Sequence, residues 1–169
     1  MALFPIRTFG DPVLNVAAAR VDDISSALER LVDDMLETMY DAPGLGLAAP
    51  QIGVSKRIFV ADIGEGPFTM INPEIVDLSD DEWPFEEGCL SVPGWYWSLD
   101  RPSYAAARGI GLDGNPVEYA GDELMGRVLQ HEIDHLDGSL LLGRLPKRAR
   151  KSALRDLRRE ALGFDVGTA

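Results

Sequence analysis

Both histidines of the 169-residue chain fall within five positions, His131-Glu132-Ile133-Asp134-His135. Residues four apart on a helix stand one turn apart on the same face, so two imidazoles at this spacing aim at a common point suited to a metal ion. The competing reading, two unrelated core or surface histidines, leaves the glutamate directly after the first unexplained. Glu132 would lie beside the ion's open position, where a carboxylate takes a proton from water; its other reading is an exposed helix charge.

Two imidazoles leave a catalytic tetrahedral ion one protein ligand short, because such sites use three and keep the fourth position for water or substrate. Downstream of His135 the sequence offers only Asp137, Asp156, Glu160 and Asp165. Upstream lies the only cysteine, within Glu87-Gly88-Cys89-Leu90-Ser91. A glycine before the thiol lets the backbone pass close to an ion, and thiolate ligation would account for a lone cysteine in polar flanks. A buried small hydrophobe and a reactive thiol are the alternatives for Cys89, since a single cysteine forms no internal disulfide.

These side chains need elements to hold them. Leu124, Val128, Leu129, Ile133 and Leu136 recur at helical spacing and predict a helix from near Gly121-Asp122 to Leu136, with Gly138 as its stop. Ile24, Leu28, Leu31, Val32, Met35, Leu36 and Met39 predict an amphipathic helix between Asp23 and Asp41, ended by Pro43-Gly44. The stretch Gly44 to Gly53 has too many glycines for a helix and too little polarity for a solvent loop, so it reads as a segment that exposes its backbone. Strands are predicted over Arg57–Ile63, Phe68–Leu78 and Tyr104–Leu112 and on both sides of Cys89. The turn Asp113-Gly114-Asn115-Pro116 leads into a returning strand at Val117–Tyr119. A last helix, Lys147 to Leu162, carries a narrow apolar stripe among basic residues.

A chain of this length with 46% hydrophobic and 26% charged residues is expected to form one domain over residues 1–169, with residues 146–162 as its basic C-terminal helix. The start, Met1 to Arg7, lacks a basic segment followed by an apolar one, and no stretch is apolar for long enough to span a bilayer. A cytoplasmic location away from membranes is expected. The net charge of −12 is unevenly spread: from Pro146 to Glu160 seven basic side chains face two acidic ones, a balance of +5. That tail suits either a solvated helix or a polyanionic partner.

Three segments, Gly44-Leu-Gly-Leu-Ala-Ala-Pro-Gln51, Glu87-Gly-Cys-Leu-Ser91 and Gln130-His-Glu-Ile-Asp-His-Leu-Asp-Gly138, resemble in order and spacing the three motifs of peptide deformylases. Gly10-Asp11-Pro12-Val13-Leu14 and Ile71-Asn72-Pro73 extend the resemblance over nearly all of the chain before the basic tail. It implies an α+β fold in which antiparallel β-sheets surround the central HExxH-bearing helix, with the N-terminal amphipathic helix and the C-terminal basic helix outside. It also implies a hydrolase that removes the formyl group from N-terminal formyl-methionine of nascent peptides.

Carried over residue by residue, the resemblance implies one divalent ion on Cys89, His131 and His135. Iron(II) is expected in cells, with zinc, nickel or cobalt able to substitute. Glu132 would move the proton, Gln51 and the Leu90 N–H would stabilise the oxyanion, and the Leu45 and Gly46 backbone would pair with the substrate. Val128 would line the methionine slot, or serve only as core. Arg101 would fix Glu87, and Trp95, Tyr96 and Trp97 would stand at the groove rim or simply pack. Some family members contact the ribosome through a C-terminal helix, which the basic tail fits; a monomer is expected. Two other readings stay open: a metallo-endopeptidase with Asp156 or Glu160 as third ligand, and a non-catalytic ribosome-binding module with a structural metal.

Overall fold

The Phe68–Leu78 run forms the central strand of the chain's main sheet. In the computed structural model, which describes residues 2–164 and leaves Met1 and residues 165–169, Asp165 among them, outside, the elements follow in this order. Helix α1 is Ser26–Asp41, followed by strands β1 (Gly46–Ala48), β2 (Ile58–Ala61), β3 (Phe68–Leu78), β4 (Glu82–Gly88), β5 (Tyr96–Pro102), β6 (Tyr104–Ile110) and β7 (Pro116–Asp122). Helices α2 (Glu123–Leu136), α3 (Leu141–Arg144) and α4 (Lys147–Ala161) complete the chain. Five strands pair antiparallel in the order β1-β2-β3-β6-β7, and β4 with β5 makes a separate two-stranded sheet.

Strand β2 shows how the sheet is held. Side chains alternate across a strand, so Ile58 and Val60 enter the core beneath α1 with Met35 and Met39, while Phe59 and Ala61 enter the core beneath α2 with Met70, Leu129 and Ile133. Ile58, Phe59 and Val60 are wholly buried. Each such side chain stabilises the fold by about 1.5–3 kcal/mol relative to exposure. A third cluster joins Val92 and Leu99 of the hairpin region to Leu142, Leu145 and Ala153, so α3 and α4 underpin the loop that carries Cys89.

The predicted α+β plan holds, with shifts that have local causes. Helix α1 begins at Ser26 rather than near Asp23, because Ser25 is still extended at ψ 165. Helix α2 begins at Glu123, because Gly121 and Asp122 finish β7 by pairing with Ala105 and Tyr104. The glycine-rich stretch supplies the edge strand β1 and a 3-10 turn over Ala49–Ile52. Helix α3, a single turn, carries no periodicity that a sequence could show.

Candidate metal centre and its groove

Helix α2 presents His131 and His135 on its inner face, and the β4–β5 loop brings Cys89 to them. Cys89 Sγ lies 3.2 Å from His135 Nε2, which lies 3.2 Å from His131 Nε2. The three ligand atoms fall within 4.8 Å of one another, the one group of this kind among the described residues. Tetrahedral bonds of about 2.0–2.3 Å put neighbouring donors about 3.3–3.6 Å apart, close to these separations.

The surroundings fit a cation. His131 Nδ1 lies 2.6 Å from Glu87 Oε1. A carboxylate only accepts, so Nδ1 carries the proton and Nε2 turns its lone pair toward the thiol and the other imidazole. Electron-pair donors packed this closely repel unless a cation or a shared proton lies between them. Burial pushes the Cys89 thiol up, but His135 and His131, where they carry the proton between these groups, outweigh it and hold the thiol well below its usual range, toward the thiolate form that ligation needs.

Glu87 is itself held. Arg101 donates Nε and one guanidinium nitrogen to its two oxygens at 2.9 and 2.8 Å, a bidentate fork, as expected for the Arg101 partner. Arg127, one turn ahead of His131, adds a third donor at 3.1 Å and also bonds Leu99 O and Trp83 O. Burial raises the Glu87 carboxyl, but bonds from His131 and Arg101 overcome it and keep the group far below the usual carboxylate range. Arg101 continues to Asp134 Oδ2 at 2.8 Å, and Arg144 of α3 grips Asp134 with Nε at 3.1 Å and a second nitrogen at 2.5 Å. A chain of paired charges thus runs from Arg144 through Asp134, Arg101 and Glu87 to the His131 ring.

Glu132 faces the groove rather than solvent and is 3% exposed. Its Oε2 is buried without a hydrogen-bond partner among the described residues, leaving it free for a proton. Burial raises its pKa, opposed by the two imidazoles, and the group is pushed up to about 7. Gly46 lies so close that a Cβ there would meet Glu132 Oε1. Only glycine lets the edge strand approach the carboxylate this far.

Gln51 is buried beside the same donors. Its Oε1 accepts from Ala48 N–H at 2.9 Å, while its Nε2 donates to Ser91 Oγ at 3.2 Å and approaches Cys89 Sγ at 3.8 Å. Ser91, wholly buried, also donates its backbone N–H to Cys89 Sγ at 3.4 Å. A groove of about 720 Å³ opens onto these groups and is lined by Leu45, Gly46, Gln51, Leu90, Val128 and Trp95, among others. Val128 lines the groove and also belongs to the core beneath α2.

The site residues expected from the sequence line this groove, except His135, which is sealed beneath it at 1% exposure, and Arg101 and Trp97, which are not among its lining residues. The alternative third ligands lie elsewhere: Glu160 accepts from Trp95, and Asp156 pairs with Arg155. Arg127, Asp134, Arg144 and Ser91 were not expected as parts of the site. Asp134, inside the histidine motif, and Ser91, at the end of the cysteine motif, carried a signal by position.

The polypeptide deformylase family model matches residues 3–151. The peptide deformylase of Agathobacter rectalis is 54% identical over 140 residues, covering 83% of this chain and 88% of its own. That of Acidothermus cellulolyticus is 49% identical over 158 residues, covering 94% and 87%. Among solved structures, the Thermus thermophilus peptide deformylase superposes with a TM-score of 0.89 at 43% identity, covering 96% of this chain and 97% of its own. The Ehrlichia chaffeensis peptide deformylase in complex with actinonin gives 0.89 at 38% identity, covering 95% and 98%. With matches of this extent in sequence and in fold, the chain belongs to the polypeptide deformylase family.

Proposed function

We propose that this chain hydrolyses the formamide of N-terminal formyl-methionine on nascent polypeptides, adding one water to release formate and a free amino terminus, with one divalent ion on Cys89, His131 and His135. The observation that carries the reading is the convergence of a thiolate and two imidazoles beside a buried, partnerless carboxylate oxygen on an open groove. A divalent cation held by these donors would supply a Lewis acid to acidify a water and polarise the formyl oxygen. Glu132 takes the proton from the attacking water on Oε2 and later delivers one to the leaving amine. Gln51 Nε2 and the Leu90 N–H donate to the oxyanion as it develops. Ser91 and Ala48 hold the Gln51 amide in the orientation this needs.

Strand β1 ends its sheet, and one edge of it carries no strand among the described residues. The substrate backbone adds there along Leu45 and Gly46, a mode that reads length and direction while leaving side chains to pockets. Val128 lines the slot for methionine. Iron(II) is the ion in cells, exchangeable for zinc, nickel or cobalt, because a thiolate with two imidazoles accepts all four. The protein works as a cytoplasmic monomer in one domain, and its basic α4 contacts the ribosome. No helix among the described residues is long and apolar enough to cross a membrane.

The Cys89→Ser variant tests the ligand set. It is expected to lose its metal and formate release together; a variant that keeps its metal would move the third ligand elsewhere.

A further inference from the structure

The aromatic run Trp95-Tyr96-Trp97 takes no part in the chemistry above, yet Trp95 lines the groove that holds Cys89, His131 and Glu132. Its ring is fixed from the far side. The indole Nε1–H donates to Glu160 Oε2 at 2.6 Å, across 65 residues of sequence. The ring stacks on Trp97 with centroids 5.9 Å apart and planes 9° from parallel. Both tryptophans pack with Leu154 and Leu157 of α4 on the cluster that contains Val92 and Leu99. Gly94, at φ 80, gives the backbone before Trp95 a joint that L side chains rarely adopt. An indole N–H only donates, so the carboxylate at its tip selects one rotation of the ring.

Leu45 and Gly46 stand on one wall of the groove, and the stretch from Gly88 to Tyr96 stands on the same groove. A peptide added to β1 with its methionine at Val128 must run on past that second wall. We propose that Trp95 is a substrate contact for the residues that follow methionine and that Glu160 is its positioning residue, so that the C-terminal helix sets the affinity for longer formyl peptides. The proposal rests on the deformylase reading. A surface staple that serves only stability is the competing role for the same contact.

The test uses the metal-loaded full chain and two substrates, formyl-Met-Ala and a formylated pentapeptide beginning Met-Ala with apolar third and fourth residues. Glu160→Ala removes the acceptor, and Trp95→Phe keeps an aromatic ring without the N–H. Each is expected to raise the ratio of pentapeptide KM to dipeptide KM about three- to tenfold, the range of one lost hydrogen bond. The pentapeptide kcat stays at the parent value. Glu160→Gln, whose amide oxygen still accepts, restores the parent ratio, and the double variant is no worse than either single one. An unchanged ratio, or equal KM shifts on both substrates, would overturn the proposal, and so would additive losses. Absence of formate from both substrates with the parent would instead remove the deformylase reading, and this proposal with it. Melting curves establish that each variant is folded before the ratios are compared.

Discussion

The Glu87 carboxylate binds the His131 ring by its back nitrogen, Oε1 to Nδ1 at 2.6 Å, while Nε and Nη2 of Arg101 hold that same carboxylate. This contact fixes the ring's tautomer and its direction, and makes Glu87 part of the proposed metal site without being a ligand.

Glu87→Gln keeps the shape and removes the charge. Metal affinity, measured by competition with a chelator, is expected to fall about 10–100-fold. Parent-like affinity would show that the ring is held by packing alone. The folded pKa of Glu87 lies below its unfolded value, so its contribution to stability is full above the unfolded value of 4.5 and is lost as pH falls toward the folded one. Below pH 4.5 the chelator-treated parent should therefore lose melting temperature more steeply than the variant.

Arg101 and Arg144 share Asp134 but differ in what their loss exposes. Arg101→Ala removes three charge-assisted bonds from two buried carboxylates, leaving Glu87 to Arg127 and His131 and Asp134 to Arg144, and is expected to cost about 3–5 kcal/mol in urea unfolding. Arg144 is half-exposed and leaves Asp134 still bound to Arg101. Its loss is expected to cost about 1–3 kcal/mol. The reverse order would mean that the charge chain is not carried through Arg101.

Gly46→Ala places a methyl group against Glu132 Oε1. The carboxylate must then move, and kcat is expected to fall at least about tenfold with the metal retained, since a displacement of an ångström suffices for such a loss. An unchanged kcat would show that the carboxylate has room to reposition without cost.

In the proposed reaction Glu132 acts in its ionised form, so kcat/KM rises with pH through its pKa. Burial among the protein groups alone sets that value at about 7, and a bound cation favours the carboxylate further. The acidic limb of the metal-loaded enzyme is therefore expected below pH 7. A limb above 7 would assign the profile to another group.

The histidine helix was legible through its period and its glycine stop, and the strand Phe68–Leu78 through its β-branched and aromatic residues after Gly64, Gly66 and Pro67. The proposed metal ligands were legible through a spacing, the two histidines, and through scarcity, the lone cysteine. Arg127 was not: an arginine on an amphipathic helix reads as a solvated charge, and only the fold reveals it 3% exposed, under Trp83 and Phe85. Arg144 was hidden in a one-turn helix with no pattern of its own. Gly46 was visible as a glycine in a backbone-exposing stretch, but the carboxylate that requires it lies 86 residues on, a distance that no local pattern spans. The extra residues of β7, which delay α2 to Glu123, follow from pairing with β6 and so from tertiary structure.

The most direct test of the central claim is formate release from formyl-Met-Ala-Ser by the chain purified without oxygen, set beside Glu132→Ala with metal content measured in both. Release by the parent and its near loss in the variant, with metal retained, is the expected result. No release from a parent holding a full complement of iron(II) would contradict it.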